Sequence, residues 1–151
     1  MRRTHIGFSL IELIVALSVM AILLAIAVPS FQEFIRGQRV KTTSFDVFAA
    51  LNYARSEALK RNGDVTLTPV SSNWANGWGI TAASSTLRTQ ASQTSSVLIT
   101  GPASITYGRD GRANANTTIQ VDANPSTASI LSRCISLDLS GRPNSKKGSC
   151  V

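Results

Sequence analysis

Histidine is almost absent from this chain of 151 residues; His5 is the only one. Imidazole is the side chain whose charge changes near neutral pH, so acid–base catalysis and most zinc sites lose their usual residue. Cysteine is equally sparse: Cys134 and Cys150 stand alone, which excludes a multi-thiolate metal centre. No glycine-rich phosphate loop occurs, because the segment from Gly108 to Gly111 is too short and lacks a following Lys-Ser or Lys-Thr. Serines are plentiful, yet none has a neighbouring base to activate it. Apart from Glu12 the carboxylates are Glu33, Asp46, Glu57, Asp64, Asp110, Asp122 and Asp138, and nothing in their spacing marks a catalytic pair. The chain reads as a non-enzyme with no cofactor and no metal.

Acidic residues are few as well, with 8 Asp+Glu against 15 Lys+Arg and a formal net charge of +7. That balance suits solubility and attraction to polyanions without naming a partner. Charge of either sign is missing from one long stretch, where Glu12 is the single ionisable residue between Phe8 and Val28. An apolar helix of about 20 residues spans roughly 30 Å, the thickness of a bilayer's hydrocarbon core. A carboxylate at the centre of such a helix costs about 2.5–3.5 kcal/mol, less towards an interface, so Glu12 calls for a partner.

Three readings fit this stretch. Arg2 and Arg3, the apolar run and Ala25-Ile26-Ala27 make a secretory signal with an A-x-A site, whose mature chain begins at Val28. The length equally suits a membrane anchor, although Arg36, Arg39 and Lys41 balance Arg2 and Arg3 and leave orientation undecided by charge. In an exported chain, Cys134 and Cys150 are expected to form a disulfide, and a closed loop of about 15 residues adds roughly 3 kcal/mol in the chain-entropy model. That bridge favours a C-terminal domain outside the cytoplasm.

The third reading is a resemblance. Arg2-Arg3-Thr4-His5-Ile6-Gly7 followed by Phe8-Ser9-Leu10-Ile11-Glu12-Leu13 resembles the prepilin leader of type IV pilins and type II secretion pseudopilins. The resemblance implies cleavage by a prepilin peptidase between Gly7 and Phe8 and N-methylation of Phe8. It further implies that Glu12 pairs with the N-terminal amine of a neighbouring subunit during assembly. A cation meeting the buried anion in low dielectric would offset the cost noted above.

Beyond Val28, Pro29 interrupts the helix and is expected to kink it without ending it. Phe34, Phe45, Phe48, Leu51, Ala54, Ala58 and Leu59 recur in steps of three and four, which predicts an amphipathic continuation with an apolar stripe. Gly37 and the polar Thr42-Thr43-Ser44 stretch predict a bend. Asn62-Gly63 supplies a C-terminal stop, with Lys60 and Arg61 suited to the negative end of the helix.

After Gly63 the pattern turns to short alternating runs. Strands are expected around Val65–Leu67, Val97–Ile99, Ile105–Tyr107, Thr117–Val121 and Ile130–Leu139. Asn76-Gly77 between Trp74 and Trp78 reads as a hairpin turn flanked by core aromatics. The Ser/Thr-rich stretches from Ala82 to Ser96 and from Asn114 to Thr118 read as exposed loops.

Together, the Ala54-Arg55-Ser56-Glu57-Ala58 helix end, Trp74 with Gly77-Trp78, Ile105-Thr106-Tyr107-Gly108-Arg109-Asp110-Gly111-Arg112 and the final Cys-strand-Gly-Arg segment resemble the GspH/FimT group of minor pilins. The fold implied is α+β, a long helix packed on a C-terminal antiparallel sheet. Its parts are a leader at 1–7, a membrane or filament-core helix at 8–28, an amphipathic half at 29–63 and a β-rich domain at 64–151. The function implied is a minor pilin of a type IV pilus, processed and then built into the filament or its tip. The alternative within the family is an H-type pseudopilin of type II secretion. The expected partners are other pilins, the peptidase and the inner membrane before assembly, with the C-terminal domain in the periplasm.

A further alternative is DNA binding for natural transformation. Arg142, Lys146 and Lys147 lie between the cysteines on what reads as one constrained loop, and Arg109 and Arg112 on another glycine turn extend the patch. In some members of the group a Gly-Arg-x-Arg tail is associated with DNA capture. Gly141-Arg142 matches that tail, but Asn144 stands where its second arginine would be.

Overall fold

A computed structural model describes residues 9–150. Gly7 and Phe8, the expected cleavage site, lie outside the described residues. One helix, α1, runs from Leu10 to Arg61, and the chain divides into two units, one ending at Ile35 and the other beginning at Arg36.

In the first unit α1 continues past Pro29. Proline removes one N–H from the ladder, and the next residue, Ser30, donates its hydroxyl to the Ile26 carbonyl at 3.4 Å. Ser18 likewise donates to the Ile14 carbonyl at 2.8 Å. Such bonds to the preceding turn let hydroxyls sit in an apolar segment without seeking outside partners.

In the second unit the buried positions of α1 are Val40, Thr43, Ser44, Val47, Ala50, Leu51, Ala54, Glu57 and Ala58. Their three- and four-residue steps form one stripe on an α-helix, and fully burying a side chain such as Val47 or Leu51 contributes about 1.5–3 kcal/mol. The helix runs unbroken through the stretch where a bend was expected, and its polar side chains are bonded where they lie. Thr43 donates to Gln93 Oε1 at 3.2 Å, and Ser44 to the Lys41 carbonyl at 2.7 Å. Phe34, Phe45 and Leu59 do not belong to the buried stripe, each being more than half exposed. The helix ends in a Schellman turn: Gly63 N–H reaches the Ala58 carbonyl at 3.2 Å and Asn62 N–H reaches Leu59 at 3.4 Å. Asn62, at φ 49°, takes the left-handed position usually given to glycine.

Among the described residues eight strands follow: β1 (Val65–Pro69), β2 (Trp78–Ala82), β3 (Ser85–Gln90), β4 (Val97–Thr100), β5 (Ile105–Tyr107), β6 (Thr117–Ala123), β7 (Arg133–Leu137) and β8 (Pro143–Lys147). They build two antiparallel sheets, ordered β3-β2-β1-β5 and β4-β6-β7-β8. Alternate residues Val65/Leu67, Trp78/Ile80, Ile105/Tyr107, Ile119/Val121 and Ile135/Leu137 enter a core shared with the helix stripe.

Several local expectations are corrected. Asn76-Gly77 is not a two-residue hairpin turn, since β1 and β2 are joined by everything from Val70 to Gly77, including a 3-10 turn at Trp74–Asn76. Asn73 caps that turn by accepting the Ala75 N–H at 2.9 Å, and Trp74 swings inward to donate to the Pro102 carbonyl at 2.8 Å. Both tryptophans are core, their ring centroids 6.1 Å apart. The stretch after Ala82 is not one loop: Ala82 pairs with Ser85, making a tight hairpin into β3 without glycine. The last predicted strand shrinks to Arg133–Leu137, leaving Leu139 exposed in a turn. Thr117 and Thr118 belong to β6 rather than to a loop.

Candidate interaction surfaces

The first candidate surface is the N-terminal stretch of α1. From Leu10 at 76% exposed to Val28 at 49%, its large apolar side chains all face outward. Among the described residues this is the one helix long and apolar enough to cross a membrane. A helix apolar on every side is stable only when lipid or other helices surround it. Glu12 lies in its first turn. The N–H groups of that turn have no intrahelical acceptor, so a carboxylate there is favoured by the helix's own positive end.

A second surface is on the outward side of α1 within the globular unit. Gln38, Thr42, Phe45, Ala49, Asn52, Ser56 and Leu59 are all exposed and all uncharged. Their alternating steps of four and three give the 3.5-residue repeat of a helix–helix seam. The Phe residues noted in the sequence had suggested a core stripe; the solvent-facing seam was missed because four of its seven members are polar.

The third surface joins two glycine turns. Gly108 N–H donates to the Arg112 carbonyl at 2.9 Å and Gly111 N–H to the Gly108 carbonyl at 2.8 Å, closing a tight loop. Arg55 on α1 donates from Nε to the Gly111 carbonyl at 3.0 Å. The β7–β8 turn closes similarly, with Gly141 N–H on the Asp138 carbonyl at 3.0 Å. The backbones of the two turns touch: a Cβ on Gly141 would lie 2.0 Å from the Gly111 carbonyl oxygen. Arg109, Arg112 and Arg142, separated by many residues in sequence, therefore rise exposed from adjoining turns. The Asp138 carboxyl is held below its usual range, first by the Ser140 hydroxyl, then by the Ser140 and Arg142 N–H groups and the Arg142 charge.

The lysines do not share that placement. Pro143–Lys147 is a strand, not a loop, because it pairs along the whole of β7, with Lys146 opposite Cys134 and Lys147 opposite Arg133. Adjacent strand residues point to opposite faces, so Lys146 and Lys147 cannot act as one cluster. The disulfide is present between Cys134 and Cys150, and Cys150 N–H donates to Gln120 Oε1 at 3.0 Å. The bridge thus fastens Cys150 over β6 and β7.

A family profile described as Type II transport protein GspH matches residues 46–141, well over half of the chain. The chain belongs to the GspH family. A second profile, the prokaryotic N-terminal methylation motif, matches residues 2–28 of this GspH-family chain. No match was found among curated proteins. Among solved structures, the chain is similar to the type IV minor pilin FimU of Pseudomonas aeruginosa in two crystal forms. One aligns at TM-score 0.61 over 70% of this chain and 91% of that one, the other at 0.64 over 72% and 89%. Identity is 20% in both, so the likeness is one of fold. Helix α1 packed on antiparallel sheets is that pilin fold, and the family and fold are structural rather than enzymatic.

Proposed function

We propose that this GspH-family chain is a minor pilin of a type IV pilus, made as a prepilin and built into the filament or its tip through its N-terminal helix. The observation that carries the reading is the fully exposed apolar stretch of α1 with Glu12 as its one carboxylate, within the span matched by the N-terminal methylation motif. On this reading the peptidase cuts between Gly7 and Phe8, and Phe8 is methylated. The apolar stretch resides in the inner membrane with the C-terminal domain in the periplasm, then moves into the filament, where Glu12 accepts the amine of a neighbouring subunit. The leader occupies 1–7, the membrane and core helix 8–28, its amphipathic half 29–63 and the globular part 64–151. Sequencing the mature N-terminus tests the processing: methylated Phe8 as first residue is expected, and Val28 would overturn it in favour of an ordinary signal.

Two other readings have an observation behind them. The matching family is named for type II transport, which favours a pseudopilin of that system; a deletion strain that keeps its pili but loses secretion would select it. The adjoining turns carrying Arg109, Arg112 and Arg142 favour contact with DNA phosphates, with Lys146 and Lys147 adding charge from β8. Such binding would be sequence-tolerant and would weaken steeply with salt. Unchanged duplex retention by the Arg109→Ala, Arg112→Ala, Arg142→Ala triple variant would reject it.

A further inference from the structure

Two cations stand side by side at one end of the sheet β4-β6-β7-β8. Arg133 on β7 is the register partner of Lys147 on β8. Arg133 alternates with the core residues Ile135 and Leu137, and Lys147 with their partners Ser145 and Pro143, so both charges lie on the core-facing side. Like charges directly opposite one another destabilise a strand pair. Neither has an ion-pair partner among the described residues. Asp122 on β6 cannot serve, because it alternates with the core residues Val121 and Ala123 and so lies on the other face, where Gln120 Nε2 donates to it at 2.9 Å.

Strand register places this pair at the base of the domain. The start of β4, the end of β6, the start of β7 and the end of β8 share one end of the sheet. Arg39 of α1 reaches that end, donating from Nη1 to the hydroxyl of Ser96, just before β4, at 3.0 Å. The far end of β7 and β8 is the turn that meets Gly111, whose carbonyl accepts from Arg55, nearer the end of α1. The base is therefore the end at which α1 enters the globular unit. Arg36 lies one helical turn before the buried Val40, on the same face of α1, and Lys41 is exposed beside it. Leu131, just before β7 at this end, is 61% exposed. Against these five cations, Glu33 is the one carboxylate in α1 between Glu12 and Asp46, and Asp46 lies beside Arg88 of β3.

We propose that this base docks on the phosphates of anionic lipid headgroups while the protein is anchored in the membrane. The occupant follows from what precedes the cations in the chain. The apolar run to Val28 is followed by Phe31, Phe34 and Ile35, and the first cation after it is Arg36. Cations just beyond a membrane span meet the headgroup layer, where each is attracted by anionic lipid. The headgroup phosphates would neutralise the Arg133–Lys147 pair, which no carboxylate in the domain does. The exposed Leu131 suits the boundary of a bilayer and has no use against a nucleic-acid backbone. This inference rests on the membrane stage of the function proposed above, and adds that the domain is held at the surface until assembly draws it away.

Two measurements on the full-length protein separate the inference from the reading beneath it. Flotation with phosphatidylcholine vesicles tests the span alone: co-flotation is expected, and protein left behind would overturn the membrane reading and this inference with it. Native mass spectrometry in neutral detergent, with equal amounts of phosphatidylglycerol and phosphatidylcholine, tests the base. The wild type is expected to retain phosphatidylglycerol at least about twentyfold over phosphatidylcholine. At roughly fivefold per cation, Arg133→Gln combined with Lys147→Gln is expected to cut that preference about tenfold or more. Lys60→Glu, which removes the same charge near the other end of the domain, is expected to keep it. Because the like-charge pair is gone, the double variant is expected to unfold no earlier than the wild type. Equal retention of the two lipids by the wild type, an equal loss with Lys60→Glu, or displacement of the lipid by millimolar inorganic phosphate or by short duplex DNA would each overturn the proposal. A lowered Tm of the double variant would reveal a partner for the pair inside the protein and overturn it too.

Discussion

Gly141→Ala probes the contact on which the adjoining turns depend. Gly141 sits at φ 74°, and a Cβ placed there would lie 2.0 Å from the Gly111 carbonyl oxygen and 3.1 Å from its carbon. The first distance is more than an ångström short of ordinary van der Waals contact, and the atoms met are backbone, which cannot rotate aside. A left-handed conformation costs a non-glycine residue roughly 1–2 kcal/mol. Forcing a methyl between packed segments adds about 1–3 kcal/mol. The sum, about 2–5 kcal/mol, is expected to lower the Tm of a domain of this size by about 10 °C or more. Gly148→Ala is the control, because Gly148 also has a positive φ, 103°, but no atom within 4 Å of the added methyl. The assay is thermal unfolding of the full-length chain in detergent, followed by far-ultraviolet circular dichroism. If Gly141→Ala loses no more than Gly148→Ala, the two turns do not touch and the grouping of Arg109, Arg112 and Arg142 fails with them.

Two further substitutions test the core and the helix end. Tyr107 is fully buried and its hydroxyl has no hydrogen-bond partner among the described residues, while burial pushes its ionisation upward. Tyr107→Phe is therefore expected to leave stability unchanged or raise it by up to about 1 kcal/mol, and a loss above 1 kcal/mol in urea unfolding would reveal a partner. Asn62→Val puts a β-branched residue into the left-handed position of the Schellman turn and is expected to cost about 1–2 kcal/mol, whereas Asn62→Gly costs none. Equal stability of the two variants would mean that the helix does not end there as described.

Much of the architecture is readable in the residues, and the misses have physical causes. Ala54 and Ala58 mark the buried stripe of α1 by spacing alone, but Phe45 misleads, since an exposed phenylalanine looks like a core one until a partner surface is known. The β2–β3 hairpin escaped because Ala83, at φ 48°, turns the chain without the glycine or asparagine that usually signals it. The strand Pro143–Lys147 looks like a loop because proline, serine and lysine are poor strand formers; pairing with β7 overrides that preference. Of the interaction surfaces, the apolar run and Glu12 were legible from the sequence, and so were the arginines one by one. Arg109 and Arg112 were expected to extend a patch around Arg142, but the meeting of Gly111 with Gly141 that brings their turns together was not legible, because it exists only through the fold.

The central claim is that the chain enters a filament through its helix with Glu12 as the charge partner. The most direct measurement is the amount of this protein in sheared pili from a strain carrying Glu12→Ala, compared with the wild type and with the membrane fraction. Normal leader removal, retention in the membrane and at least a tenfold loss from the pili are expected, since replacing the carboxylate removes the ion pair that favours docking. Wild-type amounts of the variant in the pili would contradict the pairing, and absence of the wild-type protein from them would contradict the assignment as a pilin of that filament.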